Sequence, residues 1–294
     1  MTGNSRIPKS KKERKIKELS RFSYLSLERA LEFYFVFEGL DFSTHYSELK
    51  EAINYEILGK ITELKALFAN LSKDANKLAQ RLALSSRSLK GLKDPRFRRA
   101  FNELKSAGII KVEKSLETKP TPLFGEKLRR EIRRHLISDK AHFSKNFYRF
   151  YFAFIAPKIE QISKFSAKDK EQFLSVPQLE RFFCLPFELV CADFLSHKLG
   201  VMRSSISSYW DKDCEIDILV QSSSFCLAAE VKYKEHIVSK KLLNELVAKC
   251  EKVGIKPDFY ALFSKSGFSG ELINLAKKSP KLLLFELNDF KDIL

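Results

Sequence analysis

Apolar residues from Ser20 to Asn70 recur at helical spacing, as Leu27, Leu31, Tyr34 and Phe35, then Leu49, Ile53 and Ile57, then Ile61, Leu64, Leu67 and Phe68. The pattern breaks at Gly39 and near Gly59, which predicts a helical region in several pieces. The following stretch, from Asn70 to Phe124, predicts a short amphipathic helix, a polar break, a second helix and a strand-turn-strand unit. Asp94 and Pro95 supply an N-cap and first-turn residue for that second helix. Phe97, Phe101 and Leu104 then face a core and leave Arg96, Arg98 and Arg99 outside. Gly108 ends the helix, Ile109, Ile110 and Val112 open a strand, and a Pro120 to Pro122 turn leads to Leu123 and Phe124.

That order describes a winged helix-turn-helix over about 62–125, a unit that serves either as a DNA reader or as a protein contact. Phe143, Phe147, Phe150 and Phe154 follow at helical spacing and predict a packed helix rather than a base-stacking platform. The polar stretch 161–176 reads as a linker, so the all-helical region with its winged helix spans 20–160. A second domain covers 177–294.

In this second domain the periods change in a regular order. PFELVCADFLSHKLG predicts a helix with Pro186 at its start and Gly200 at its end. SSISSYW, CEIDILVQ and FCLAAEVKYK predict three strands, HIVSKKLLNELVAKCEKVG a helix, DFYALFS a strand, and KLLLFEL a further strand after a helix near ELINLAKKS. The core order of helix, three strands, helix, strand defines an α/β domain. Alternation places Glu215, Asp217 and Leu219 on one side of the middle strand, and Cys226, Ala228, Glu230 and Lys232 together on the next. A hairpin through Ser222 to Ser224 then brings Asp217, Glu230 and Lys232 to one face.

Charge changes the picture for the first half. The chain has 294 residues and a formal charge of +16, but residues 1–176 hold 37 Lys and Arg against 21 Asp and Glu, whereas 177–294 hold 16 of each. Residues 1–19 alone carry seven Lys or Arg and read as a basic disordered tail. Such an excess suits a polyanionic partner, nucleic acid first, since cationic side chains gain by releasing counterions from phosphates; a merely solvated basic surface is the plain alternative. Five scattered cysteines without a CxxC pair read as reduced thiols. The absence of a long apolar run points to a cytosolic protein with no membrane partner.

Two carboxylates beside an ammonium suit phosphodiester hydrolysis, in which a hard cation on carboxylate oxygens offsets growing charge and a lysine assists the attacking water. The residues Asp217, then Glu230, Val231 and Lys232, resemble the Asp and Glu-x-Lys of the PD-(D/E)xK nuclease superfamily, and Glu188 in PFELV resembles the glutamate often found on its first helix. More narrowly, PFELV, YWDKDCEIDIL, AEVKYK and ALFSKSGF, over about 180–290, resemble the C-terminal domain fused to archaeal-type ATPases, domain-of-unknown-function family 234. Cys214 and Tyr233 depart from that pattern where Gly and Trp are usual.

This resemblance implies a restriction-endonuclease-like fold and Mg²⁺ or Mn²⁺ held by Glu188, Asp217 and Glu230, with Lys232 assisting catalysis. It also implies a possible separately encoded ATPase partner, because no GxxxxGK[ST] occurs in the chain, and a possible homodimer. The substrate expected is DNA, cut or nicked; an inert nuclease fold that binds DNA or adapts a partner is the other reading. Glu215 and Tyr209 or Trp210 are expected to flank the site, whereas His236, close after the third strand, reads as a solvated helix-start residue rather than a member of it. No HxH, HExxH, GxSxG or GxGxxG pattern is present, so zinc hydrolysis, a serine elbow and dinucleotide binding find no support.

Overall fold

The computed structural model describes residues 18–84, 87–90, 94–117, 124–127 and 137–293. The basic tail up to residue 17 and the Pro120 to Leu123 segment lie outside the described residues. The chain is mixed α/β and divides into two compact units. One comprises Arg21–Lys114 and Ser138–Leu179, the other Met1–Ser20, Ser115–Ile137 and Glu180–Leu294.

The first unit is mainly helical: α1 (Leu27–Phe37), α2 (Leu49–Ala52), α3 (Ile61–Leu67), α4 (Lys73–Leu84) and α5 (Pro95–Ser106) precede a small antiparallel pair, β1 (Ile110–Glu113) with β2 (Lys140–Phe143). Asp94 caps α5 by accepting from the Arg96 amide at 2.8 Å. Ala100, Phe101 and Leu104 are buried, and Gly108 closes the helix at φ +67. The return strand differs from expectation. Lys140–Phe143 fills that place, with Ser88 bridging to Lys140, while Phe124 is fully exposed. Local turn residues suggested the short return; the buried Ala141 and Lys140 decide the long one.

After β2, α6 (Asn146–Phe150) continues into a π-turn over Tyr151–Ile155, and Phe147 and Phe150 are wholly buried. The aromatic run therefore packs, apart from Phe143, which belongs to the strand. The stretch 161–176 is more ordered than a linker: α7 (Ile159–Ile162) is followed by α8 (Ala167–Glu171), whose Ser166 and Asp169 form a reciprocal capping box, and Phe173 and Leu174 are buried.

In the second unit α9 (Val176–Leu199) is followed by β3 (Ile206–Trp210), β4 (Glu215–Gln221), β5 (Cys226–Lys232), α10 (Lys240–Lys252), β6 (Phe259–Ser264), α11 (Gly270–Lys278) and β7 (Leu282–Glu286). The helix α9 begins before the division at Leu179, ten residues ahead of the expected start at Pro186, which sits inside it. Ser175 binds Gln178 Oε1 through both its amide and its hydroxyl at 3.0 Å, a capping arrangement that starts the helix early. Pro186 forfeits one backbone bond, but buried Phe182 and Phe183 hold the turn before it.

The five strands lie in the order β3-β4-β5-β6-β7, antiparallel across the first three and parallel across the last three. Leu242, Leu243, Leu246 and Cys250 of α10 cover one face with Leu219, Ala228 and Leu262 beneath them. On the other, Phe194 of α9 meets Phe263, Phe285 and Phe290, with ring centroids between 4.6 and 6.0 Å apart. Each such aromatic pair adds about 0.5–1.5 kcal/mol beyond the area it buries. The strand at the centre of this sandwich is β5.

Candidate functional site

The charged cluster begins with an irregularity in β4. Between β3 and β4 the register runs from Ser207↔Leu219 to Tyr209↔Ile216, so β4 carries one extra residue between Ile216 and Leu219. This β-bulge overturns the strict alternation expected from sequence: Ile216 and Leu219, both fully buried, join the same core cluster. The bulge spans Asp217 and Ile218.

The ladder between β4 and β5 is regular from Gln221↔Cys226 to Ile218↔Ala229. Beyond it the Asp217 side chain takes over, and its Oδ2 accepts from the Val231 amide at 2.9 Å. Asp217 is thereby fixed beside Glu230 and Lys232 as expected. Lys232 Nζ lies 3.1 Å from Glu230 Oε2 and 4.0 Å from Asp217 Oδ2. A residue not anticipated from sequence completes the group: Lys249 of α10 places its Nζ on Glu230 Oε1. The signal for it was available, because Lys249 falls three residues after Leu246 and just before Cys250 on the buried stripe of α10.

Glu230 is 2% exposed, Asp217 16%, and each lysine 33%. One buried and one half-buried carboxylate need compensation, and two ammonium groups cancel their formal charge. Compensation is incomplete at Asp217. Burial first, then the Glu230 charge, pushes its carboxyl up to about 6, against the opposing pull of Lys232, the Val231 amide and Lys249. Burial alone would lower Lys232, but the Asp217 and Glu230 charges, the hydrogen bond it donates to Glu230 and the Glu188 charge raise it above its ordinary value.

Glu188 is half-buried on α9, and its charge is felt by Lys232 and by the buried Cys191 thiol. Among the described residues, however, no three His, Cys, Asp or Glu side chains are gathered closely enough to hold a metal ion. Asp217 and Glu230 are the two carboxylates that share the Lys232 ammonium. Such a pair still fits a small hard cation, since Mg²⁺ commonly takes one or two carboxylates and completes its shell with water and phosphate oxygens. The thiols do not fit: all five cysteines are free, burial holds Cys191 well above its usual value and Cys250 at about 12, so both stay protonated.

Glu215 and His236 are exposed, Tyr209 packs in the core beneath α10, and the Trp210 carbonyl accepts from Ser115. In the first unit, Arg96, Arg98 and Arg99 are all exposed on α5. Arg81 of α4 lies over the Phe97 ring at 4.5 Å, beside a cleft of about 230 Å³ lined also by Lys77 and Arg96.

The fold and the cluster together define a mixed α/β protein with a carboxylate–lysine group on its central strands. The family DUF234, described as "Archaea bacterial proteins of unknown function", matches residues 151–246. The match opens and closes earlier than the expected 180–290, takes in Glu188, Asp217, Glu230 and Lys232, and stops before Lys249. No curated protein and no solved structure matches the chain.

Proposed function

We propose that the protein is a nuclease of the PD-(D/E)xK type, a Mg²⁺- or Mn²⁺-dependent phosphodiester hydrolase acting on DNA. One observation carries the reading: Asp217 on β4 meets Glu230 and Lys232 on β5 with the lysine ammonium within 4.0 Å of both carboxylates. The strand order supports it, since three antiparallel strands passing into parallel ones through a helix is the arrangement of a restriction-endonuclease-like core. In this reading Asp217 and Glu230 hold the cation, which supplies Lewis acidity toward a phosphate oxygen. Lys232 holds the attacking water by a hydrogen bond from Nζ and balances charge as it grows on the phosphate. The desolvated, carboxylate-rich floor keeps both groups fixed before substrate arrives. Glu188, whose charge acts on Lys232 from α9, would complete the ligand set directly or through a water.

The substrate end of the proposal rests on the basic excess of residues 1–176. Helices α3, α4 and α5 with β1 and β2 are read as a winged helix-turn-helix, with α5 presenting Arg96, Arg98 and Arg99 to the duplex. Changing all three to alanine is expected to weaken duplex binding at least about tenfold and to lower the salt slope by roughly three, without loss of thermal stability. An unchanged slope in titrations at several ionic strengths would assign α5 to a protein contact.

A second reading has its own support: with its charges self-cancelled, the cluster also suits an inert fold that adapts a separately encoded ATPase or binds as a homodimer. Plasmid, linear, branched and single-stranded substrates incubated with Mg²⁺ or Mn²⁺ decide between the two. Cleavage of any of them, lost in Asp217→Ala, is the expected result; no cleavage of the whole panel favours the adaptor.

A further inference from the structure

The two lysines on Glu230 are not equivalent. Lys232 comes from the same strand, two residues on, and its ammonium is shared between Glu230 and Asp217. Lys249 comes from the last turn of α10, and among the described residues its ammonium forms one ion pair, to Glu230 Oε1. Both oxygens of a nearly fully buried carboxylate are thus taken by ammonium groups, one on each. A cation binding between Asp217 and Glu230 needs at least one of those oxygens. Released from its one carboxylate, Lys249 can turn to solvent along its four-carbon stem, for it is already one-third exposed. Displacing Lys232 would strip two carboxylates at once, and the balance of contacts favours loss of Lys249.

We infer that Lys249 is the resident counterion of Glu230: a divalent cation displaces its ammonium from Oε1, and the freed ammonium pairs with a phosphate oxygen of bound nucleic acid. The inference rests on the metal-dependent reading of this site and adds to it a positioning residue that lies beyond the DUF234 match. Two consequences follow from linkage. Lys249 competes with the cation, so metal binds the free protein more weakly than the carboxylate pair alone would allow. Metal and nucleic acid bind cooperatively, since each favours the state in which Lys249 has left Glu230.

The test is Mn²⁺ titration of the full chain by calorimetry, without nucleic acid, for wild type, Lys249→Met and Lys249→Arg. Loss of a partly exposed competing ion pair is expected to tighten Mn²⁺ binding by about five- to tenfold in Lys249→Met. Lys249→Arg, which keeps the charge, should stay near wild type. In the second arm, duplex DNA affinity is measured with and without Ca²⁺. Calcium should strengthen binding by wild type several-fold more than by Lys249→Met. If Lys249→Met unfolds, Lys249→Gln replaces it in both arms. Wild-type Mn²⁺ binding with equal or weaker binding in the methionine and glutamine variants overturns the role of Lys249 alone. Absence of any Mn²⁺ binding by wild type overturns the metal reading and this inference together.

Discussion

Replacing Lys232 with methionine is expected to lower cleavage by about 100- to 1,000-fold, the usual cost of removing one charge contact made in the transition state. Methionine keeps most of the stem volume, so the backbone pairing of Lys232 with Ser264 in the parallel ladder is undisturbed. DNA affinity should change little, because the Arg and Lys excess lies before residue 177 and one ammonium among many is a small fraction of it. Single-turnover cleavage and duplex titration on the same preparation check both halves. A Lys232→Met protein that cuts as fast as wild type would remove this cluster from the chemistry.

Asp217→Asn is expected to make the free protein more stable at neutral pH while abolishing its metal response. The Asp217 carboxyl sits at about 6 in the fold, driven up first by burial and then by Glu230, against about 3.9 in an unfolded chain. With the folded value raised, its contribution to stability is complete below the unfolded value and is lost as pH rises through about 6. At pH 7.5 the ionised side chain therefore costs stability. One pKa unit corresponds to about 1.4 kcal/mol, so the cost reaches ~3 kcal/mol before partial exposure and the lost attraction to Lys232 reduce it. Asparagine still accepts from the Val231 amide and never ionises, so a gain of about 1–3 kcal/mol is expected at pH 7.5, shrinking toward zero near pH 4. Denaturant titrations of the two proteins at both pH values measure that gap. Adding Mn²⁺ should reverse the order, raising wild type by ligand linkage and leaving the variant where it was. Equal stability at pH 7.5 without metal would mean that the two carboxylates are not under strain.

Sequence periodicity located the second unit well because its elements are short, strongly apolar and punctuated. Every strand from Ile206 to Glu286 lies within two residues of its predicted span. The starting point of α9 was missed for an energetic reason: Pro186 signals a helix start in isolation, but the Ser175–Gln178 cap and buried Phe182 and Phe183 outweigh one lost backbone bond. The return strand Lys140–Phe143 was illegible because its pairing with Ile110–Glu113 closes a loop of more than two dozen residues, beyond the reach of turn chemistry. At the site, residue spacing identified Asp217, Glu230 and Lys232. It could not reveal the bulge, which depends on how β3 meets β4, or Lys249, whose role appears only when α10 lies on β5. Glu188 is a residue type in the expected place on α9, and its charge acts on Lys232 and Cys191.

The mixed sheet also sets an order of events in time. Asp217, Glu230 and Lys232 lie within sixteen residues of chain on a hairpin closed by the Ser222 turn, where Ser222 donates to the Phe225 carbonyl at 3.0 Å. Closing so short a loop costs little entropy, and it can happen within microseconds. Joining β6 to β5 must wait for α10 to form and cross over, and β7 for α11 after that. Repelling carboxylates are thus brought together at the start, before Phe194 of α9, Phe263, Phe285 and Phe290 lock the opposite face. The early hairpin is then expected to set how fast the chain closes and the late aromatic layer how slowly it opens, a partition that refolding and unfolding rates of Asp217→Asn and Phe290→Leu would check. In that order of events a proton or a bound cation on Asp217 is expected to speed refolding, an effect that stopped-flow refolding rates at pH 5 and pH 7.5 would reveal.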